Sequence, residues 1–199
     1  MIFKRKSSKE NKIVVVSGLP RSGTSLMMMM LDAAGFPPMQ DHVRTADDDN
    51  PKGYYEYERV KKMPEGDTAW LKDAKGKAVK VITALLKHLP RKHKYDLVIM
   101  RREISEILAS QRKMLERRGE DPNKVDDKEM AELFSMHFNE VLEWIGQQKN
   151  IRSLEISYNQ LLQDPEAQIE QLNQFLGGEL DTAAMLAMID PKLYRQRGK

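Results

Sequence analysis

Residues 13–31 read IVVVSGLPRSGTSLMMMML, an apolar run, a glycine-bearing loop and a second apolar run with nothing between them. Ile13 to Ser17 has the unbroken, valine-rich character of a strand buried on both faces. The second run predicts a helix from about Gly23 to Ala34, with Gly35 as its stop. Between them, Gly18 to Ser25 has the spacing G-x-x-x-x-G-T-S. Glycines at both ends of such a loop let backbone N–H groups converge on an oxyanion, backed by the positive end of the helix dipole. The loop is therefore expected to cradle a phosphate. Arg21, Ser22, Gly23, Thr24 and Ser25 are its candidate binding residues, and the Thr24 and Ser25 hydroxyls are further donors.

The remaining chain alternates strands with helices. Strands are predicted at Ala78–Ile82, Asp96–Met100 and Ile151–Ile156. A short helix is predicted from near Tyr54 towards Met63, and another over about 105–118. An amphipathic helix is expected where Met130, Leu133, Phe134, His137, Phe138, Val141, Trp144 and Ile145 recur at helical spacing. Two helices are expected to flank Asp164-Pro165, with Gly177-Gly178 ending the second, and a short one follows over 182–189. This alternation implies an α/β fold, a three-layer sandwich around a mainly parallel sheet with right-handed crossovers. Residues 1–12 are expected to form a flexible basic tail and 13–199 a single domain. The proline-rich, acidic stretch 36–53 reads as a long functional loop.

The position of positive charge narrows the ligand. Loops that bind nucleoside triphosphates place a lysine directly after the second glycine; here that position is Thr24, and the charge comes earlier, at Arg21. An arginine fork holds an oxyanion through two hydrogen bonds and stays charged. The third strand ends in Arg101-Arg102, where a magnesium-nucleotide enzyme usually carries an aspartate. The net charge of +3 is too small to imply nucleic acid. The chain has no cysteine, so it carries no disulfide or thiolate metal site, and no metal is expected. No apolar run approaches the ~20 residues of a membrane span, and the N-terminus lacks the apolar stretch of a secretory signal. Cytoplasmic residence is the default expectation.

Residues 13–31 resemble the 5′-phosphosulfate loop of the sulfotransferases that use 3′-phosphoadenosine 5′-phosphosulfate (PAPS), whose P-[KR]-x-G-T-[ST] core is matched by PRSGTS. The segment VIMRREISEILASQRKML resembles the same family's 3′-phosphate site, an arginine at a strand end and a serine eight residues on. The resemblance implies that Arg102 and Ser110 hold that phosphate, with Arg101 the alternative if the register slips by one. Residues 154–177 resemble the family's strand, tyrosine, D-P turn and F-L-G helix. Tyr158 then lies beside the adenine, or else packs in the core. Arg195, Arg197 and Gly198 match a basic C-terminal element of the 3′-phosphate site less closely.

The resemblance also implies a catalytic set. Lys80 matches a strand lysine that faces the transferred group, and Arg21 serves the leaving 5′-phosphate. The base that activates the acceptor is expected at Glu56, in NPKGYYEYERV, which resembles the NPxGYxE stretch of bacterial and protein-tyrosine-type members. Glu58 and Asp48 stand behind it. The histidine of the cytosolic branch is Ile82 here. Arg44 and Asp47 to Asp49 are candidates to line the acceptor cleft. The implied activity is sulfuryl transfer from PAPS to a hydroxyl or amine of a small-molecule, carbohydrate or protein acceptor. A magnesium-ATP-dependent small-molecule kinase and a non-catalytic nucleotide-binding protein with the same loop are the alternatives. The acceptor and the oligomeric state stay open.

Overall fold

The strand that opens the chain's glycine loop, β1 (Ile13–Gly18), is buried at every residue. A computed structural model, which describes residues 12–47, 50, 53–122 and 124–189, shows why. β1 lies inside a four-stranded sheet of order β2-β1-β3-β4. Its partners are β2 (Ala78–Lys80), β3 (Tyr95–Arg101) and β4 (Ile151–Ser157). All three strand pairings are parallel. Successive side chains of a strand point to opposite faces. Ile13 and Val15 accordingly enter one hydrophobic cluster, and Val14 and Val16 the other.

Helices cover both faces. On one side lie α2 (Ile104–Arg117) and α3 (Asp127–Gly146), which contribute Ile107, Phe138, Val141 and Ile145 to the core. On the other lie α1 (Thr24–Ala33), α4 (Tyr158–Gln163), α5 (Pro165–Leu176) and α6 (Thr182–Ala187). Met27, Met28, Met30 and Leu31 of α1 pack there with Leu161, Ile169, Leu172 and Met185. The methionine run of α1 is thus core, as flexible apolar side chains that fill the space above a twisted sheet. Asp164 caps α5 through the Ala167 N–H, Pro165 occupies its first turn, and Gly177 closes it at φ 113°. The architecture is the expected three-layer α/β sandwich, with a sheet that is parallel throughout.

Two expected elements are shorter or differently wound. β2 ends at Lys80, because after the Val81 N–H bonds the Val16 carbonyl at 3.0 Å the chain turns away into a 3-10 segment at Thr83–His88. The helix expected from Tyr54 is instead a 3-10 segment at Glu58–Glu65, which contains Pro64 and stops at Gly66, φ 93°. Proline removes a backbone donor and so disfavours a continuous α-helix there. The tail at 1–11 and the basic residues Arg195, Arg197 and Gly198 lie outside the described residues, as do Asp48 and Asp49. No helix of the described residues is long and apolar enough to cross a membrane.

Candidate active site

The C-terminal ends of the four strands open onto a cleft of about 790 Å³. In open parallel sheets this edge is where ligands bind, since loops and helix N-termini converge there. Taken in sheet order, the cleft is lined by Lys80 at the end of β2, the glycine loop after β1, Arg102 after β3 and Tyr158 after β4. Among the described residues that line it, seven are lysine or arginine, and Glu56 is the single carboxylate.

The loop is built by close approach. Gly23 caps α1 at φ 97° and ψ 13°. A Cβ there would lie 2.3 Å from a ring carbon of Tyr158. At Gly18 a Cβ would lie 2.8 Å from the Met100 carbonyl oxygen. Arg21 itself adopts a left-handed backbone, φ 66°, which carries its side chain towards α2. Its Nε donates to Ser110 Oγ at 2.5 Å and its Nη1 meets Met114 Sδ at 3.5 Å. The expected loop arginine and the expected helix serine are therefore in direct contact. Thr24 and Ser25 line the cleft. Ser22 does not; it is fully buried beneath the loop, with its hydroxyl against Gly18. Its N–H donates to the Leu19 carbonyl at 3.2 Å.

On the β3 side, Arg102 lines the cleft, whereas Arg101 points outward and pairs with Glu155 at 3.4 Å. Arg102 is gripped from three directions. Its Nε donates to Glu106 Oε2 at 2.9 Å and its Nη1 to the Arg21 carbonyl at 3.0 Å. Its guanidinium lies 4.5 Å from the centre of the Tyr158 ring. Tyr158 is thus wedged between Arg102 and Gly23 and is only 7 % exposed. Asn159 Nδ2 donates to the other oxygen of Glu106 at 2.9 Å. Glu106 is a positioning residue that sequence reasoning missed. Its spacing of four from Arg102 was visible; its burial, at 3 % exposure, was not. Lys113 and Arg117, one and two turns beyond Ser110 on α2, also line the cleft and were not anticipated.

On the β2 side, Lys80 Nζ donates to the Tyr54 carbonyl at 2.6 Å and to Ser25 Oγ at 3.3 Å. Its nearest carboxylate oxygen, Glu56 Oε1, is 3.7 Å away. Glu56 also meets Arg44 at 2.8 Å and Lys61 at 3.6 Å, so three cations surround it. Arg44 stacks 3.4 Å above the Tyr54 ring, and the Tyr54 hydroxyl donates to Asp47 Oδ1 at 2.6 Å. Burial, helped by that hydrogen bond, pushes the Tyr54 phenol up to about 12. Glu58 turns away to Lys61 at 2.6 Å and does not line the cleft.

Burial depresses the Lys80 ammonium to about 8, against the opposing attraction of Glu56. Its folded pKa lies below its unfolded one, so between about pH 8 and 10.5 the unfolded chain binds more protons, and stability rises with pH across that window. Lys80→Met is expected to remove that rise. Chemical denaturation at pH 7 and pH 10 should show the wild type gaining about 3 kcal/mol relative to the variant over this interval. Parallel pH profiles for the two proteins would contradict it.

The fold and cleft define an α/β protein whose sheet opens, at the C-terminal ends of its strands, onto a cleft rich in cationic side chains. Residues 52–182 match the Sulfotransferase family, and the chain belongs to that family of PAPS-using enzymes. The glycine loop lies before the matched residues, so it and the family match are separate observations. A sulfotransferase domain from the curacin biosynthetic pathway superposes with a TM-score of 0.53 at 16 % identity, covering 96 % of this chain and 80 % of that one. The sulfotransferase domain of the Synechococcus PCC 7002 olefin synthase gives 0.55 at 18 % identity, covering 100 % and 84 %. At these identities the likeness is one of fold. No curated protein matches the chain.

Proposed function

We propose that the cleft binds PAPS and that the chain transfers its sulfuryl group to a hydroxyl or amine acceptor. The observation that carries this is the order along one sheet edge: Lys80 with Glu56, the glycine loop, then Arg102 with Ser110. The residues present suit such a ligand. Arg21, Thr24, Ser25 and the loop amides would take the 5′ end, and Arg102 with Ser110 the 3′-phosphate. The cradle at Gly23 and Gly18 leaves no room for side chains. Among the described residues of the cleft, seven cations against one carboxylate fit a polyanion, and the third strand ends in arginine where a magnesium-organising aspartate is usual, which disfavours the kinase alternative.

PAPS supplies an activated sulfuryl group; the chain supplies position, charge and a proton acceptor. Lys80 presents a buried positive charge held by the Tyr54 carbonyl and Ser25. Glu56 takes the acceptor's proton, once Arg44 yields its place on Oε1. Tyr158 acts chiefly by wedging Arg102 against the loop. Glu56→Gln is expected to lower turnover by roughly 10²- to 10⁴-fold while leaving adenosine 3′,5′-bisphosphate affinity within a few-fold. Acceptor-dependent release of the bisphosphate from PAPS measures this. Turnover unchanged in the variant would remove Glu56 from the mechanism.

A further inference from the structure

We propose that the Tyr55 N–H is a further hydrogen-bond donor to the sulfuryl group, swung into the site by a half-turn of the Tyr54–Tyr55 peptide when PAPS binds. This rests on the PAPS site proposed above. Two groups of that site converge on a single oxygen. Lys80 Nζ donates to the Tyr54 carbonyl at 2.6 Å and Ser25 Oγ donates to it at 3.4 Å, while Lys80 also reaches Ser25 Oγ at 3.3 Å. An ammonium and a hydroxyl aimed at one point are the surroundings an oxyanion needs. The Tyr54 carbonyl therefore stands where these two groups would meet a sulfuryl oxygen, and the two oxygens exclude each other.

The backbone is strained at this same peptide. Tyr55 has φ 53°, a left-handed conformation that bulky residues rarely adopt. A half-turn of a peptide plane changes ψ of the residue before it and φ of the residue after it, and leaves both side chains in place. It would carry Tyr55 to a φ of roughly −130°, ordinary extended backbone. The flanks are anchored. Tyr54 is buried, with Arg44 stacked on its ring and its hydroxyl donating to Asp47 at 2.6 Å. Beyond Tyr55, the Glu56 carbonyl accepts from the Asp41 N–H at 3.3 Å. The plane between them can turn while its ends hold. Lys80 explains why the strained form persists in the free protein. Its side chain is 9 % exposed, and the Glu56 carboxylate, at 3.7 Å, lies beyond hydrogen-bond length. A buried charge left without an acceptor costs more than one strained residue. An anionic oxygen beside Lys80 supplies that acceptor and repels the carbonyl. The turn then exchanges an acceptor for a donor, because the Tyr55 N–H takes the direction the carbonyl leaves.

Tyr55→Ala and Tyr55→Gly both lose the ring and differ only at Cβ, so the pair isolates the backbone. Glycine takes a positive φ without penalty and so keeps the carbonyl on Lys80 more firmly. In calorimetry of the full chain without acceptor, Tyr55→Gly is expected to bind PAPS about tenfold more weakly than Tyr55→Ala. Adenosine 3′,5′-bisphosphate, which has no sulfuryl group, should bind the two variants within a few-fold of each other. Equal PAPS affinity in the two would overturn the proposal. The wild type gives a second reading that needs no variant. Crystal structures of the full chain, free and with PAPS, should differ in the direction of the Tyr54 carbonyl. A carbonyl that still accepts from Lys80 with PAPS bound would overturn the proposal and leave the PAPS site standing. PAPS that fails to bind at millimolar concentration would overturn the PAPS site, and the proposal with it.

Discussion

Arg102→Ala is expected to destabilise the fold by about 3–5 kcal/mol as well as to abolish bisphosphate binding. Arg102 and Glu106 form an ion pair with side chains 7 % and 3 % exposed. Removing the arginine leaves Glu106 buried, with Asn159 as a neutral partner. An uncompensated buried carboxylate costs far more than the pair contributes when intact. The alanine variant therefore mixes two losses, and denaturant titration with calorimetry separates them. The paired variant Arg102→Met with Glu106→Leu removes both charges together. It is expected to recover most of the stability and none of the binding. Equal destabilisation in the single and paired variants would contradict the role given to Glu106.

Gly23→Ala is the second large effect. The position combines φ 97° with a ring carbon 2.3 Å from the site of any Cβ. Left-handed backbone strain and overpacking each cost about 1 kcal/mol or more, so a loss of at least about 2 kcal/mol is expected. Tyr158 has nowhere to retreat, since Arg102 stacks on it. Adding Tyr158→Ala to Gly23→Ala should relieve the overlap but not the strain, restoring part of the stability. Gly23→Ala with wild-type melting and bisphosphate affinity would remove the close approach from the account.

The strand, loop and first helix were legible because their cause is local. An unbroken apolar run means a strand inside a parallel sheet, and β1 is buried throughout. Arg102 and Ser110 were legible only through the family resemblance, a strand-end arginine with a serine eight residues on, and the structure brings both to the cleft. What escaped the sequence depends on contacts between distant segments. The grip of the Tyr54 carbonyl on Lys80 joins residues 26 apart, and the contact of Arg21 with Ser110 joins residues 89 apart. Ser22 turns inward and its hydroxyl lies where a Cβ on Gly18 would otherwise sit, a packing that no spacing announces. The 3-10 winding at Glu58–Glu65 reflects Pro64 and a surface of charged residues, where helical pattern is weak.

Calorimetric titration of the full chain with adenosine 3′,5′-bisphosphate tests the central assignment most directly. Saturable one-site binding is expected, lost in Arg21→Ala and weakened as Lys80 loses its proton above about pH 8. No heat of binding at millimolar bisphosphate, with magnesium-ATP binding in its place, would contradict it.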